Sequence, residues 1–102
     1  MVACLVQIIE IVDDSFYPGI CKAVLTDCSG QKHIILDKPP VFGFEIETID
    51  QLPFTASVSC ELIDDLGDRV KIDTDIPDHV ESEEECHVFV VPRSSIVESC
   101  VN

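Results

Sequence analysis

Residues 54–62 alternate without a break. Phe54, Ala56, Val58, Cys60 and Leu62 are apolar, and Thr55, Ser57, Ser59 and Glu61 between them are polar. Successive side chains of a strand point to opposite faces, so this pattern predicts a strand with one face in a core and the other in water. A helix would scatter the same residues around its circumference. The alternation recurs twice. Residues 20–26 set Cys21, Ala23 and Leu25 against Lys22, and residues 41–47 set Phe42, Phe44 and Ile46 against Glu45 and Glu47.

Turn signals separate these stretches. Asp13-Asp14-Ser15 through Pro18-Gly19 reads as a loop. Cys28-Ser29-Gly30-Gln31 reads as a turn, with Gly30 free to take a positive φ, and it leads into a partner strand over 32–37. Lys38-Pro39-Pro40 ends that strand, because proline cannot donate to a ladder. Asp64-Asp65-Leu66-Gly67-Asp68 predicts a hairpin loop with its glycine late. The chain then returns over 69–74 with Val70 and Ile72 inward. The apolar run over 2–12 lacks helix start and stop signals and is read as a strand. A last strand is expected over 86–91, stopped by Pro92, with 93–102 as a short helix or a loose tail. About seven strands joined by hairpins, with no helical crossover, predict one all-β domain over 1–102. Its sheet is antiparallel, and it closes as a small barrel or folds as a two-sheet sandwich.

Apolar residues make up 46% of the chain, too many for a wholly disordered one. With five Phe, one Tyr and no Trp, the core must be mainly aliphatic. Charge narrows the partners. Twenty acids face six Lys and Arg, a formal net charge of −14. Such a field repels nucleic-acid phosphates and anionic lipid surfaces, so neither nucleic acid nor membrane is expected as a partner. It favours a basic protein partner and speeds the encounter with one, although it also serves solubility alone.

Six cysteines stand at 4, 21, 28, 60, 86 and 100. An even count suggests disulfides only in an exported chain. The apolar N-terminal run has no basic start and contains Glu10, so it does not read as an export signal. No Cys-x-x-Cys occurs. The expectation is a cytoplasmic chain whose thiols are reduced and mostly buried as small hydrophobes, with Cys28 and Cys100 in polar, exposed surroundings.

The stretch with the most chemistry runs from Asp73 to Glu85. Asp73, Asp75, Asp78, Glu81, Glu83, Glu84 and Glu85 place seven carboxylates in thirteen residues. A calcium loop would need alternating oxygen ligands and a glycine, whereas Pro77 interrupts the run and no glycine follows. The seven are therefore candidates for a surface that docks a basic partner, against the plain alternative of a solvated acidic loop. Cys86 and His87 are neighbours in a strand and point apart, so they do not share a metal ion easily. No close Cys and His spacing suggests zinc. There is no nucleophile elbow, phosphate-binding glycine loop or His-Glu-x-x-His, so no catalytic residue, metal or cofactor is assigned.

Two runs of residues resemble a family of short bacterial proteins of unassigned function. Leu25-Thr26-Asp27-Cys28-Ser29-Gly30-Gln31-Lys32-His33, followed by Asp37-Lys38-Pro39-Pro40-Val41, is similar to that family's "TDxxGxxH" hairpin and "DKxP" turn. Cys60-Glu61-Leu62, Arg69-Val70-Lys71-Ile72-Asp73-Thr74 and Glu81-Ser82 resemble its "CEV", "RVxVDT" and "ES" segments. The similarity spans residues 20–91. It departs at Pro40, Asp78 and Glu83 to Glu85, where the family pattern has Val, an aromatic or Gly, and Thr-Glu-Gly. The resemblance implies a bacterial cytosolic β-protein and brings no activity or catalytic residues with it. Two functional classes remain. One is a non-enzymatic acidic interaction module, similar in size and charge to immunity proteins that neutralise basic toxins. The other is a small enzyme or ligand-binding barrel whose site is assembled from Cys or His and carboxylates.

Overall fold

The computed structural model describes residues 2–46 and 51–98. Its strands are β1 (Val2–Asp13), β2 (Ile20–Thr26), β3 (Lys32–Asp37), β4 (Phe54–Asp65), β5 (Arg69–Asp73), β6 (Val88–Pro92) and β7 (Ile96–Glu98). They form one antiparallel sheet in the order β3-β2-β1-β4-β5-β6, with β7 added to β1. The sheet curls into a half-barrel rather than dividing into two packed sheets.

β1 organises the curl. One of its edges pairs with β4 from Val2↔Cys60 to Ile8↔Phe54. The other edge is shared end to end, with β7 from Val2↔Glu98 to Cys4↔Ile96 and β2 from Gln7↔Val24 to Asp13↔Ile20. Register shifts between Ile8 and Glu10 and between Ile11 and Asp13 add bend and twist where a flat sheet could not close over a core.

The alternations at 20–26 and 54–60 sort as their chemistry requires. Cys21, Ala23, Leu25, Val58 and Cys60 are buried, and they join Cys4, Val6, Ile8, Ile35, Val70, Ile72, Phe89 and Val91 in one core. Leu62, expected inward, is 37% exposed. It pairs with Ile72 just before a register shift at 62–64, where the sheet runs out beyond the core.

Three expectations need correction. The last strand runs from Val88 to Pro92 rather than over 86–91, so Cys86 and His87 precede it. Residues 41–46 do not form a strand. Pro39 and Pro40 have fixed φ and seed a 3-10 turn, Pro39–Phe42, closed by Gly43 at φ 81°. Phe42 and Phe44 reach the core from a turn packed on β4 instead of from a ladder. Phe42 is buried, and Phe44 meets Phe54 edge to face with ring centroids 4.9 Å apart. Glu47 lies outside the described residues. The tail is also more ordered than expected, since a 3-10 turn at Arg93–Ser95 leads into β7. The run Ile96-Val97 supplies apolar, β-branched side chains there, but three residues are too few to show a periodicity.

The two outer strands, β3 and β6, do not pair in a ladder. Two backbone hydrogen bonds from loops bridge them instead. Cys28 N–H, in the β2–β3 turn, donates to the Val90 carbonyl at 2.8 Å, and Glu83 N–H donates to the Ile34 carbonyl at 2.8 Å. Inside this seam His33 packs on Phe89 with ring centroids 4.9 Å apart. Each edge thus gives up part of its free hydrogen-bonding capacity, and Pro92 removes an N–H from the end of β6.

Candidate functional site

The acidic segment joins β5 to β6 and is a folded loop. Thr74, Val80 and Ser82 are buried and hold it from beneath. Thr74 N–H donates to the His87 carbonyl at 2.8 Å, and Val80 N–H donates to the Thr74 carbonyl at 3.0 Å. The Thr74 hydroxyl lies 2.7 Å from the Val80 carbonyl and 3.2 Å from that of His87. Further along, Ser82 N–H donates to the Cys86 carbonyl at 2.8 Å, and the Ser82 hydroxyl accepts from Cys86 N–H at 3.2 Å. Glu83 N–H closes the seam to β3. The backbone therefore points inward to its partners and leaves the long acidic side chains outside.

The seven carboxylates separate into two groups. Asp73 and Asp75 are half-buried and engaged. Asp73 Oδ1 accepts from Asp75 N–H at 2.9 Å and lies 2.7 Å from His87 Nδ1. Asp75 Oδ1 lies 3.2 Å from His79 Nδ1. Asp78, Glu81, Glu83, Glu84 and Glu85 are exposed, and their side chains make no hydrogen bond or ion pair among the described residues. His87 holds the Asp73 carboxyl below its ordinary range through their hydrogen bond. Reciprocally, Asp73 raises the His87 imidazole above its ordinary value by that same bond, helped at longer range by Asp75 and Glu81.

A second carboxylate–imidazole pair lies at the other bridge of the seam. Asp27 Oδ1 accepts from Ser29 N–H at 2.9 Å, from the Ser29 hydroxyl at 2.6 Å and from Gln31 N–H at 3.0 Å, while Oδ2 lies 2.8 Å from His33 Nε2. These donors, Ser29 first, depress the Asp27 carboxyl strongly. A charged Asp27 then orients His33 with Nε2–H as donor, and the buried Nδ1 is left without a partner. Gly30, at φ 87°, allows this turn to close tightly. The pair supports the hairpin, and His33 packs on Phe89.

The thiols follow burial. Cys4, Cys21 and Cys60 are buried and Cys28 is exposed, as expected; Cys86 is exposed, because the residues before β6 belong to the acidic loop; Cys100 lies outside the described residues. Burial, reinforced by Cys60, pushes the Cys4 thiol up to about 12. Burial raises Cys21 to about 11, with help from Asp37, and Cys60 to about 11, with help from Asp73. Thiols held this high are poor nucleophiles near neutral pH. Among the described residues no group of three or more His, Cys, Asp or Glu is arranged to hold a metal ion, and no helix is long and apolar enough to cross a membrane.

Of the seven sequence candidates, Asp73 ends β5 and the other six lie on the loop between β5 and β6. Sequence reasoning missed the histidine partners. His33 stands six residues after Asp27 across a predicted turn, a signal that was available. His87 and Asp73 become neighbours only through the β5–β6 register, in which Asp73 faces Val88. Compared with known proteins, the chain matches no family model, no curated protein and no solved structure.

Proposed function

We propose that this chain is a non-enzymatic interaction module that docks a basic protein partner on its acidic β5–β6 loop. One observation carries the reading: Asp78, Glu81, Glu83, Glu84 and Glu85 are exposed, with side chains that make no hydrogen bond or ion pair among the described residues, on a loop whose backbone is anchored to the core and to β3. Clustered like charges repel one another, and a Lys- and Arg-rich surface would relieve that repulsion. A fixed backbone lowers the entropy lost when such a partner docks. Neutralisation of a basic toxin, as immunity proteins perform it, is the narrower form of this role, and the net charge of −14 supports it.

The test is capture of a partner from the native lysate followed by binding kinetics over a salt series. The association rate should fall steeply with salt, and dissociation should change less. Reversing Glu83, Glu84 and Glu85 to Lys should slow association. It should alter stability by no more than about 0.5 kcal/mol for each exposed site. An association rate indifferent to salt and to the triple reversal would leave the loop with no role in binding.

A further inference from the structure

All six aromatic side chains fall within the described residues, and only two are exposed. Phe42 and Phe89 are buried and Phe44 and Phe54 are half-buried, whereas Phe16 is 52% and Tyr17 73% exposed. The exposed two are adjacent and lie on the loop between β1 and β2. With Asp14, Ser15, Pro18 and Ile46 they line a recess of about 240 Å³. Neither ring is stacked on another; the ring pairs among the described residues are His33–Phe89 and Phe44–Phe54. Asp14 is exposed and makes no hydrogen bond or ion pair there.

The loop is held in shape. Asp13 Oδ1 accepts from Ser15 N–H at 2.9 Å and from the Ser15 hydroxyl at 2.6 Å, and these bonds hold its carboxyl below the ordinary range. Gly19, at φ 86°, lies against the Ile46 side chain so closely that a Cβ there would fall 2.5 Å from Ile46 Cδ1. The glycine seats the loop on Ile46, and the recess forms between them. It stands at the far end of β1 from Val2, which pairs with Cys60 next to the Glu61↔Asp73 pair. It includes none of the seven carboxylates.

We infer that this recess is a binding site for an organic cation, the ammonium or guanidinium head of a Lys or Arg side chain presented by the basic partner. Aromatic faces attract such cations through their quadrupoles, and a neighbouring carboxylate adds a full charge. Pro18 and Ile46 supply apolar wall for the methylene stem, which long cationic side chains bury while the head stays polar. An unpaired Asp14 on the rim disfavours an anionic or purely aliphatic occupant, which would leave that carboxylate desolvated without compensation. The inference deepens the proposed function and rests on it for the partner's chemistry. The acidic loop would then steer the encounter, and the recess would hold one anchoring side chain and slow dissociation.

The site can be tested without the partner. The full chain, labelled with ¹⁵N, is titrated with N-acetyl-arginine amide and, in parallel, with its neutral analogue N-acetyl-norleucine amide. The arginine compound should give saturable shifts at residues 14–19 and at Ile46, and the norleucine compound should not. Phe16→Leu and Tyr17→Leu keep apolar bulk but remove a π face, and each should weaken arginine binding roughly two- to fivefold. Asp14→Asn should weaken it further. Equal shifts from both compounds would show a merely apolar recess and overturn the inference. Shifts scattered over the acidic surface, unchanged by Phe16→Leu or Tyr17→Leu, would show diffuse counter-ion association and overturn it too. Either failure leaves the acidic-loop reading intact, because that reading stands or falls on Glu83, Glu84 and Glu85.

Discussion

Thr74→Val tests whether the acidic loop is a folded element or a tether. The substitution keeps the shape of a fully buried side chain and removes its hydroxyl. That hydroxyl has one proton and two carbonyls within reach, Val80 at 2.7 Å and His87 at 3.2 Å. The shorter contact takes the proton. The His87 carbonyl still accepts Thr74 N–H at 2.8 Å in the variant, so only the Val80 carbonyl loses its donor. Leaving one buried acceptor unsatisfied costs about 1–3 kcal/mol, and 2 kcal/mol is a reasonable centre. For a domain near 100 residues this lowers Tm by roughly 8–16 °C if unfolding is global. If the loop opens by itself, amide exchange at Val80 and Glu83 should accelerate about thirtyfold, since roughly 1.4 kcal/mol is a factor of ten. Thr74→Ser keeps the hydroxyl and removes a methyl group, so it should cost only about 1 kcal/mol. A Thr74→Val protein with unchanged Tm and unchanged exchange at both amides would refute the account of the loop as packed structure.

Three further outcomes follow from the same contacts. The Asp73–His87 pair has a pH window with two signs. The depressed Asp73 contributes stability above its unfolded pKa near 3.8 that is lost as pH falls through its lower folded value, and the raised His87 contributes stability below its unfolded pKa near 6.5 that is lost as pH rises through its higher folded value. Protection of the loop amides, corrected for the intrinsic pH dependence of exchange, should therefore be greatest between these limits, and Asp73→Asn should lower the His87 pKa measured by NMR. Among thiols, Cys28 and Cys86 should react with a disulfide reagent in the folded protein, whereas Cys4, Cys21 and Cys60 should react only on unfolding. Because those five cysteines are free, thermal unfolding should be the same with and without reductant, and a loss of the few kcal/mol typical of a native bridge would contradict this.

How far the sequence could be read depended on whether a feature was local. Alternation placed β2 and most of β4, because each residue's face follows from its neighbours. The same rule failed at 41–46. Period-2 burial can come from any backbone that presents alternate side chains to a core, and Pro39-Pro40 set a turn that does so without a ladder. β7 was invisible because three residues carry no period. The acidic cluster was legible as composition, but its division was not: Asp73 and Asp75 are hydrogen-bonded, whereas the side chains of Asp78, Glu81, Glu83, Glu84 and Glu85 make no hydrogen bond or ion pair among the described residues. That division depends on where His79 and His87 arrive after the loop folds. The aromatic recess was less legible still, since Ile46 reaches Phe16 and Tyr17 only through the packing of Gly19.

The position of the acidic loop is tied to the closure of the sheet. A half-barrel of this order leaves β3 and β6 as edges, and exposed edges invite pairing with other chains. Glu83 N–H on Ile34 and Cys28 N–H on Val90 occupy part of each edge with groups that are not strands. The residue that bridges to β3 is thus itself acidic, and it begins the Glu83-Glu84-Glu85 run. Backbone in this run satisfies an edge, while its side chains surround that edge with negative charge. A strand from a second copy, which also carries −14, would meet this field before it could pair. A basic partner would be drawn to the same place. The same charge would oppose pairing with a second copy and favour a basic partner at the loop. The triple reversal to Lys should accordingly do two things at once: slow association with a basic partner, and weaken the repulsion between copies of the chain. Both are measurable on one variant, the second by sedimentation at low salt. If Glu83, Glu84 and Glu85 are reversed and neither changes, the field at the seam has no bearing on association of either kind.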